Sequence, residues 1–168
     1  GRMIAHWRVN VDVAVLLLRD SVGATPRELG RFRSASQFRW SPDGSRLAVA
    51  GEPVAPLPLR SVGPLSGRTE LMVFDTRSGE QRSLREPGFL VGVDAPGLPG
   101  LAEFDWLDDA TLIVAGRERT GMRSEASSLY LLDADAGTRR YLAGEGGRWH
   151  HPVVSPDRST IAFVGYPL

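Results

Sequence analysis

The sequence contains no cysteine and no lysine, and Asn10 is its single asparagine. Without cysteine there are no disulfides and no thiolate metal sites, and the redox compartment stays open. All twenty basic residues are arginine, which we read as the codon usage of a GC-rich genome rather than a design for phosphate. Twenty acidic residues balance them, so the basic excess on which a nucleic-acid binder relies is missing. The longest apolar run, Val13–Leu18, falls far short of the roughly 18–20 residues a membrane-spanning helix needs. No signal-peptide pattern precedes it, the opening Gly-Arg-Met looks like an excision point, and the chain is expected to be soluble, with neither nucleic acid nor membrane as a partner. Helical periodicity never persists beyond a turn, which leaves an all-β chain.

What is present is repetition. Leu16, Asp20, Arg27 and Leu29 recur with the same offsets as Leu71, Asp75, Arg82 and Leu84, and again as Leu129, Asp133, Arg140 and Leu142; successive copies start 55 and 58 residues apart. A period of this size marks a repeat architecture. Each copy reads as a β-hairpin. Leu71–Phe74 and Leu129–Leu132 are strand-like and run into Asp75-Thr-Arg-Ser-Gly79 and Asp133-Ala-Asp-Ala-Gly137, which supply turn-forming Asp and Gly. A second unit lies between the hairpins. Trp40-Ser41-Pro42-Asp43-Gly44 precedes Leu47–Ala50, Trp106-Leu-Asp-Asp-Ala110 precedes Leu112–Ala115, and Val154-Ser155-Pro156-Asp157-Arg158 precedes Ile161–Val164. Arg158 stands where the first copy has Gly44, and a positive φ retained there costs about 1–2 kcal/mol. The strands after these turns are apolar without alternation, as when both faces of a sheet are covered.

Together the units form four-stranded antiparallel blades of a β-propeller. The sequence predicts a single partial propeller over 1–168: a half blade over 12–29, a blade over 35–85, a blade over 101–143 and a half blade over 150–165. That makes about three blade equivalents, whereas closed propellers have about four to eight. The ring is therefore expected to close with further blades, or with a second copy of the chain in a six-bladed dimer.

Trp40-Ser41-Pro42-Asp43-Gly44 with Leu47-Ala48-Val49, followed by Leu71–Asp75 and Gly79-Glu80, resembles the TolB-type propeller repeat. Such repeats occur in TolB-like proteins and in the N-terminal propellers of prolyl-oligopeptidase-family serine peptidases, acylaminoacyl-peptidase-like members included. The resemblance implies a non-catalytic segment that gates or screens substrate for a hydrolase domain outside this sequence. The alternatives are a TolB-like protein-interaction propeller and the self-closing dimeric scaffold. The implied partner is a peptide or protein, in the cytoplasm for a peptidase and in the periplasm or outside the cell for a TolB-like protein.

The long connections, residues 51–69, 86–100 and 116–127, are placed on one face of the disc, where binding is expected. Arg117, Arg119 and Arg123 fall in one of them and suit a carboxylate or phosphate, although Glu118 and Glu125 offset their charge. Trp149, His150 and His151 precede the last inner strand near the propeller axis. Neighbouring residues of a strand point to opposite faces, so the two histidines are not expected to chelate one ion, and neither metal nor cofactor is assigned. Asp133 and Asp135 hint at calcium, but the sister turn keeps only Asp75 and Gly79, so the shared pattern is turn chemistry. The recurring Asp20/Arg27, Asp75/Arg82 and Asp133/Arg140 suggest cross-strand ion pairs. No Gly-x-Ser-x-Gly, phosphate-binding glycine loop or His-x-x-x-His is present, so no catalytic residue is assigned.

Overall fold

The computed structural model of the chain describes residues 3–54, 70–86, 88–95, 98–101, 103–118 and 126–167. Fifteen strands and no helix appear among them: β1 (Ile4–Val9), β2 (Ala14–Arg19), β3 (Arg27–Trp40), β4 (Arg46–Pro53), β5 (Glu70–Asp75), β6 (Gln81–Ser83), β7 (Phe89–Val91), β8 (Val93–Ala95), β9 (Leu98–Leu101), β10 (Phe104–Trp106), β11 (Thr111–Glu118), β12 (Ser128–Asp133), β13 (Arg139–Ala143), β14 (Gly147–Val154) and β15 (Ile161–Pro167). All named strand pairs are antiparallel. Strands β1 to β6 form one sheet in sequence order, β10 to β13 form a second with β7 added beside β11, and β14–β15 and β8–β9 are two-stranded.

The first sheet departs from the expected half blade and blade. Strand β1, outside the predicted 12–29 segment, pairs along its whole length with β2, and its Trp7 ring meets Phe32 edge-on at 5.4 Å. Strand β3 replaces the boundary at 30–34. Its first part pairs with β2 and its second with β4, with irregularities between Phe32 and Ser34 and between Ala35 and Gln37. Residues 27–40 contain no Pro, Asn or Asp to break the chain, so it bends by bulging rather than by looping. The 86–100 connection likewise is not plain loop, since it contributes β7, β8 and part of β9.

The unalternating strands do have two covered faces. In β4, Leu47 and Val49 join Leu16, Leu18, Phe32 and Phe74 on one side of the first sheet. Ala48 and Ala50 face the other way, toward Phe104, Trp106, Leu112, Val114 and Leu132 of the second sheet. In β11 the alternate residues Ile113 and Ala115 pack with Leu129 and with Val154 of β14. Three sheets are thus stacked face on face, with apolar layers between them, as successive blades are.

The turns carry the repeat. Ser41 Oγ donates to Asp43 Oδ1 at 2.7 Å and accepts from Arg46 N–H at 2.9 Å. Ser155 Oγ donates to Asp157 Oδ1 at 2.6 Å and accepts from Thr160 N–H at 3.0 Å. In the middle copy Asp108 takes over the cap, accepting from Ala110 and Thr111 N–H. The hairpin aspartates act similarly: Asp75 accepts from the N–H groups of Arg77 and Ser78, and Asp133 from those of Asp135 and Ala136. The expected Asp75/Arg82 and Asp133/Arg140 ion pairs do not form among the described residues. A carboxylate that closes its own turn is already satisfied. Arg139 is the ion-paired residue of that strand instead, bonded to Glu86 at 2.7 Å and Glu118 at 3.1 Å and lying over the Phe89 ring. Asp135 pairs with Arg46 of the first sheet at 3.0 Å.

Candidate functional site

The repeated turn aligns Phe38, Phe104 and Pro152 at the start of the three inner-strand motifs, and the residues just before them are Gln37, Glu103 and His151. The structure brings this register together across the sheet junctions. The Gln37 side-chain amide donates to Phe104 C=O at 3.0 Å, and the backbone N–H of His151 donates to the Glu103 carboxylate. Two further bonds fasten each junction. At the first, the Trp106 indole donates to Arg39 C=O at 3.0 Å, and Asp43 N–H donates to Asp109 at 2.9 Å. At the second, Val154 N–H donates to Asp105 at 2.9 Å and the Arg158 guanidinium donates to Trp106 C=O at 2.6 Å.

Donor atoms gather at the second junction. Glu103 lies directly before β10, with a side chain only 8% exposed, and both histidines sit in β14. His151 Nδ1 is 3.0 Å from Glu103 Oε1, His150 Nδ1 is 3.8 Å from Oε2, and the two Nδ1 atoms are 2.5 Å apart. The expectation that adjacent histidines diverge fails here for a definite reason. His151 has φ of 53°, and the β14–β15 register slips between His150 and Val153. A left-handed residue at a bulge cancels the alternation of a regular strand and puts both imidazoles on one side.

The neighbouring residues hold this geometry. The buried Ser127 hydroxyl accepts from Trp149 N–H and donates to Trp149 C=O, both at 2.9 Å. The Trp149 indole fills a slot floored by Gly144, Gly147 and Gly165, where any Cβ would overlap the ring. The His150 ring stacks on Tyr166 at 5.5 Å.

Trp149, His150 and His151 therefore sit together at an inner-strand junction. Arg117 does not share their place. It belongs to β11 rather than to a loop, opposite Leu90 of β7, while Arg119 and Arg123 lie outside the described residues. Glu103 is the site residue that motif reading missed. It follows a Leu-Ala pair and precedes Phe104 with no chemical motif around it, and only the alignment of Gln37, Glu103 and His151 marks it.

Stacked antiparallel sheets, bonded to one another through β3, β10 and β14, define a partial β-propeller. Comparison with solved structures refines this to TolB-type blades. TolB from Acinetobacter baumannii superposes with a TM-score of 0.65 at 18% identity over 98% of this chain and 35% of that one. Puromycin hydrolase gives 0.61 at 22% identity over 92% of this chain and 22% of that one. The acylaminoacyl peptidase of Pyrococcus horikoshii gives 0.59 at 17% identity over 99% of this chain and 27% of that one. The chain spans half or less of the length of the structures it is similar to. No protein-family model and no curated protein matches the sequence.

Proposed function

We propose that this chain is a non-catalytic propeller segment that recognises peptide or protein through its inner-strand face. In this reading it is the substrate-screening propeller of a prolyl-oligopeptidase-like serine peptidase. The observation that carries the reading is the disposition of the polar side chains. The hydroxyls of Ser41 and Ser155 are spent on closing turns, each bonded to an aspartate two residues on, and neither is bonded to a histidine. The polar side chains of Glu103 and His151 instead meet at the junction of β10 and β14, and in this reading that junction is the part that faces an entering peptide.

A fluorophosphonate, which tags activated serines, tests this. The expected result is no adduct on residues 1–168 and one adduct elsewhere on a longer polypeptide that carries this segment. An adduct on Ser41 or Ser155 would overturn the non-catalytic reading. A parent polypeptide that takes up no label would overturn the peptidase reading and favour a TolB-like interaction role.

A further inference from the structure

We propose that Glu103, His150 and His151 bind a divalent first-row transition ion of the zinc class, through one carboxylate oxygen and the two Nδ1 atoms. These three donors all lie within 4.8 Å of one another. A tetrahedral zinc ion with bonds of ordinary length spaces its ligand atoms about 3.3 Å apart. The two Nδ1 atoms are 2.5 Å apart, and those of His151 and His150 stand 3.0 Å from Oε1 and 3.8 Å from Oε2 of Glu103, on either side of that value, so side-chain rotation is what brings a single carboxylate oxygen into the triad.

Three features favour a metal over a structural hydrogen bond. The first is electrostatic. With both rings in the Nε2–H tautomer, two imidazole nitrogens and a carboxylate oxygen present lone pairs to a common point; a single proton bridges two such atoms, while a metal ion serves all three. The second is the backbone. A left-handed backbone is unfavourable for a residue other than glycine, and its effect at His151 is to bring the second imidazole onto the side of the first. The third is the sister junction, which makes its inter-sheet link from the same register with the neutral amide of Gln37. The fold needs a hydrogen bond at this position, not a buried carboxylate between two histidines.

The chemistry of the donor set selects the ion. Imidazole nitrogens suit zinc, nickel, copper or iron, whereas calcium and magnesium require oxygen ligands. Glu103 is buried and His150 nearly so, at 20% exposed, while the His151 side chain is 58% exposed. The cluster is thus closed on the protein side and open on the other, leaving a coordination position for water or for an external carboxylate. This inference does not depend on the peptidase reading, because ion binding is measured on the chain whatever polypeptide carries it.

The test is calorimetric titration of the chain with Zn²⁺, repeated with Co²⁺ to read coordination from its visible spectrum. One ion per chain is expected. Glu103→Gln, whose amide oxygen retains an acceptor for the His151 N–H, should weaken binding at least 10-fold. His150→Ala should do the same, while His6→Ala should leave it unchanged. Long-range ¹⁵N spectra of the histidine rings should show zinc shifting Nδ1, not Nε2, of His150 and His151. Undiminished affinity in Glu103→Gln, loss of affinity in His6→Ala, or coordination through Nε2 would each overturn the assignment. Glu103→Gln is expected to melt within a few degrees of the parent without metal, so its lost affinity is separable from misfolding.

Discussion

The two inner-strand junctions solve one mechanical problem with different chemistry. Between β3 and β10 the bonds from the inner strands use an amide, an indole and main-chain carbonyls, namely Gln37 to Phe104 and Trp106 to Arg39. Between β10 and β14 the same registers carry Glu103, Asp105, two histidines and Arg158. At the first junction the charged contacts, Asp109 to Asp43 N–H and Arg46 to Asp135, lie in the turns and the neighbouring strand, while the inner strands are joined by neutral groups. The charge on the inner strands of the second therefore exceeds what that register demands. The excess is the best indicator of function in the chain. It also shows how a repeat protein diverges: the backbone role of each register is retained, and the side chain serving it is free to acquire another property.

The largest break in the comparison should come from the residue the junctions share. Trp106 is fully buried, donates its indole N–H to the first junction and offers its carbonyl to the second. Trp106→Ala should cost about 3–5 kcal/mol, the usual range for truncating a buried large aromatic, and chemical denaturation should show the whole chain weakened. A loss below about 1 kcal/mol would mean that the sheets do not stack through this side chain.

A smaller effect, confined to the second junction, is expected from Gly165→Ala. The added methyl group meets the Trp149 ring from the facing strand, and overpacking of this kind costs about 1–3 kcal/mol. Hydrogen exchange should rise in β14 and β15 while β4 and β5 keep their protection. Equal loosening of all four strands would show that the last hairpin is not an independent unit.

Smaller still is the contrast between two homologous turn positions. Gly44 and Arg158 both have positive φ, 72° and 64°. Gly44→Arg should cost about 1–2 kcal/mol, because a residue with a Cβ is strained at that positive φ. Arg158→Gly relieves the same strain but surrenders a charged hydrogen bond to Trp106 C=O, typically worth about 1.5–3 kcal/mol, so the net loss should stay near 1 kcal/mol. Melting curves of the two variants decide the matter, and a clear gain in stability for Arg158→Gly would deny that the guanidinium helps join the sheets.

These elements differ in how far their residues disclose them. The Ser-Pro-Asp turns and the hairpins after Leu71 and Leu129 are legible because local chemistry dictates them: an aspartate two or three residues before its N–H donors, a glycine where φ turns positive. The blades follow from strands apolar on both faces. The continuity of β3 is not legible, because a bulge leaves no residue signature as a proline or an Asp-Gly pair does. Strand β1 also escapes notice, since its sequence, Ile-Ala-His-Trp-Arg-Val, gains its role only by covering the edge of β2. The candidate site is half visible. His150 and His151 attract attention as a pair, yet the rule of strand alternation separates them, and only the left-handed φ of His151 reverses that. Glu103 becomes meaningful through a partner 48 residues away.

The smallest effect, acid sensitivity, sharpens the comparison by asking whether the turns beside the two junctions behave alike. Hydrogen bonds from Ser41, and then from Ser45, pull the Asp43 carboxyl from its ordinary value of 3.8 down to about 2. The hydroxyls of Ser155 and Ser159 hold Asp157 down to about 2 in the same way. A carboxyl whose pKa is lower in the folded state contributes stability that is complete above its unfolded value and disappears as pH falls through its folded value. Both turns should therefore hold at pH 5 and weaken between about pH 4 and 2. Both are exposed to solvent, so the loss should be modest. The junctions should nevertheless separate the two turns. Asp43 N–H is also gripped by Asp109 of the next sheet, a contact for which the Asp157 turn has no counterpart among the described residues. Urea midpoints between pH 5 and 2 should lose part of their acid slope in both Asp43→Asn and Asp157→Asn. Asp109→Asn should reduce the slope only at the first junction, and therefore should add nothing when combined with Asp43→Asn. Full additivity of those two substitutions would show that Asp43 is held by its own turn alone, and that the junctions differ in less than their inner-strand chemistry implies.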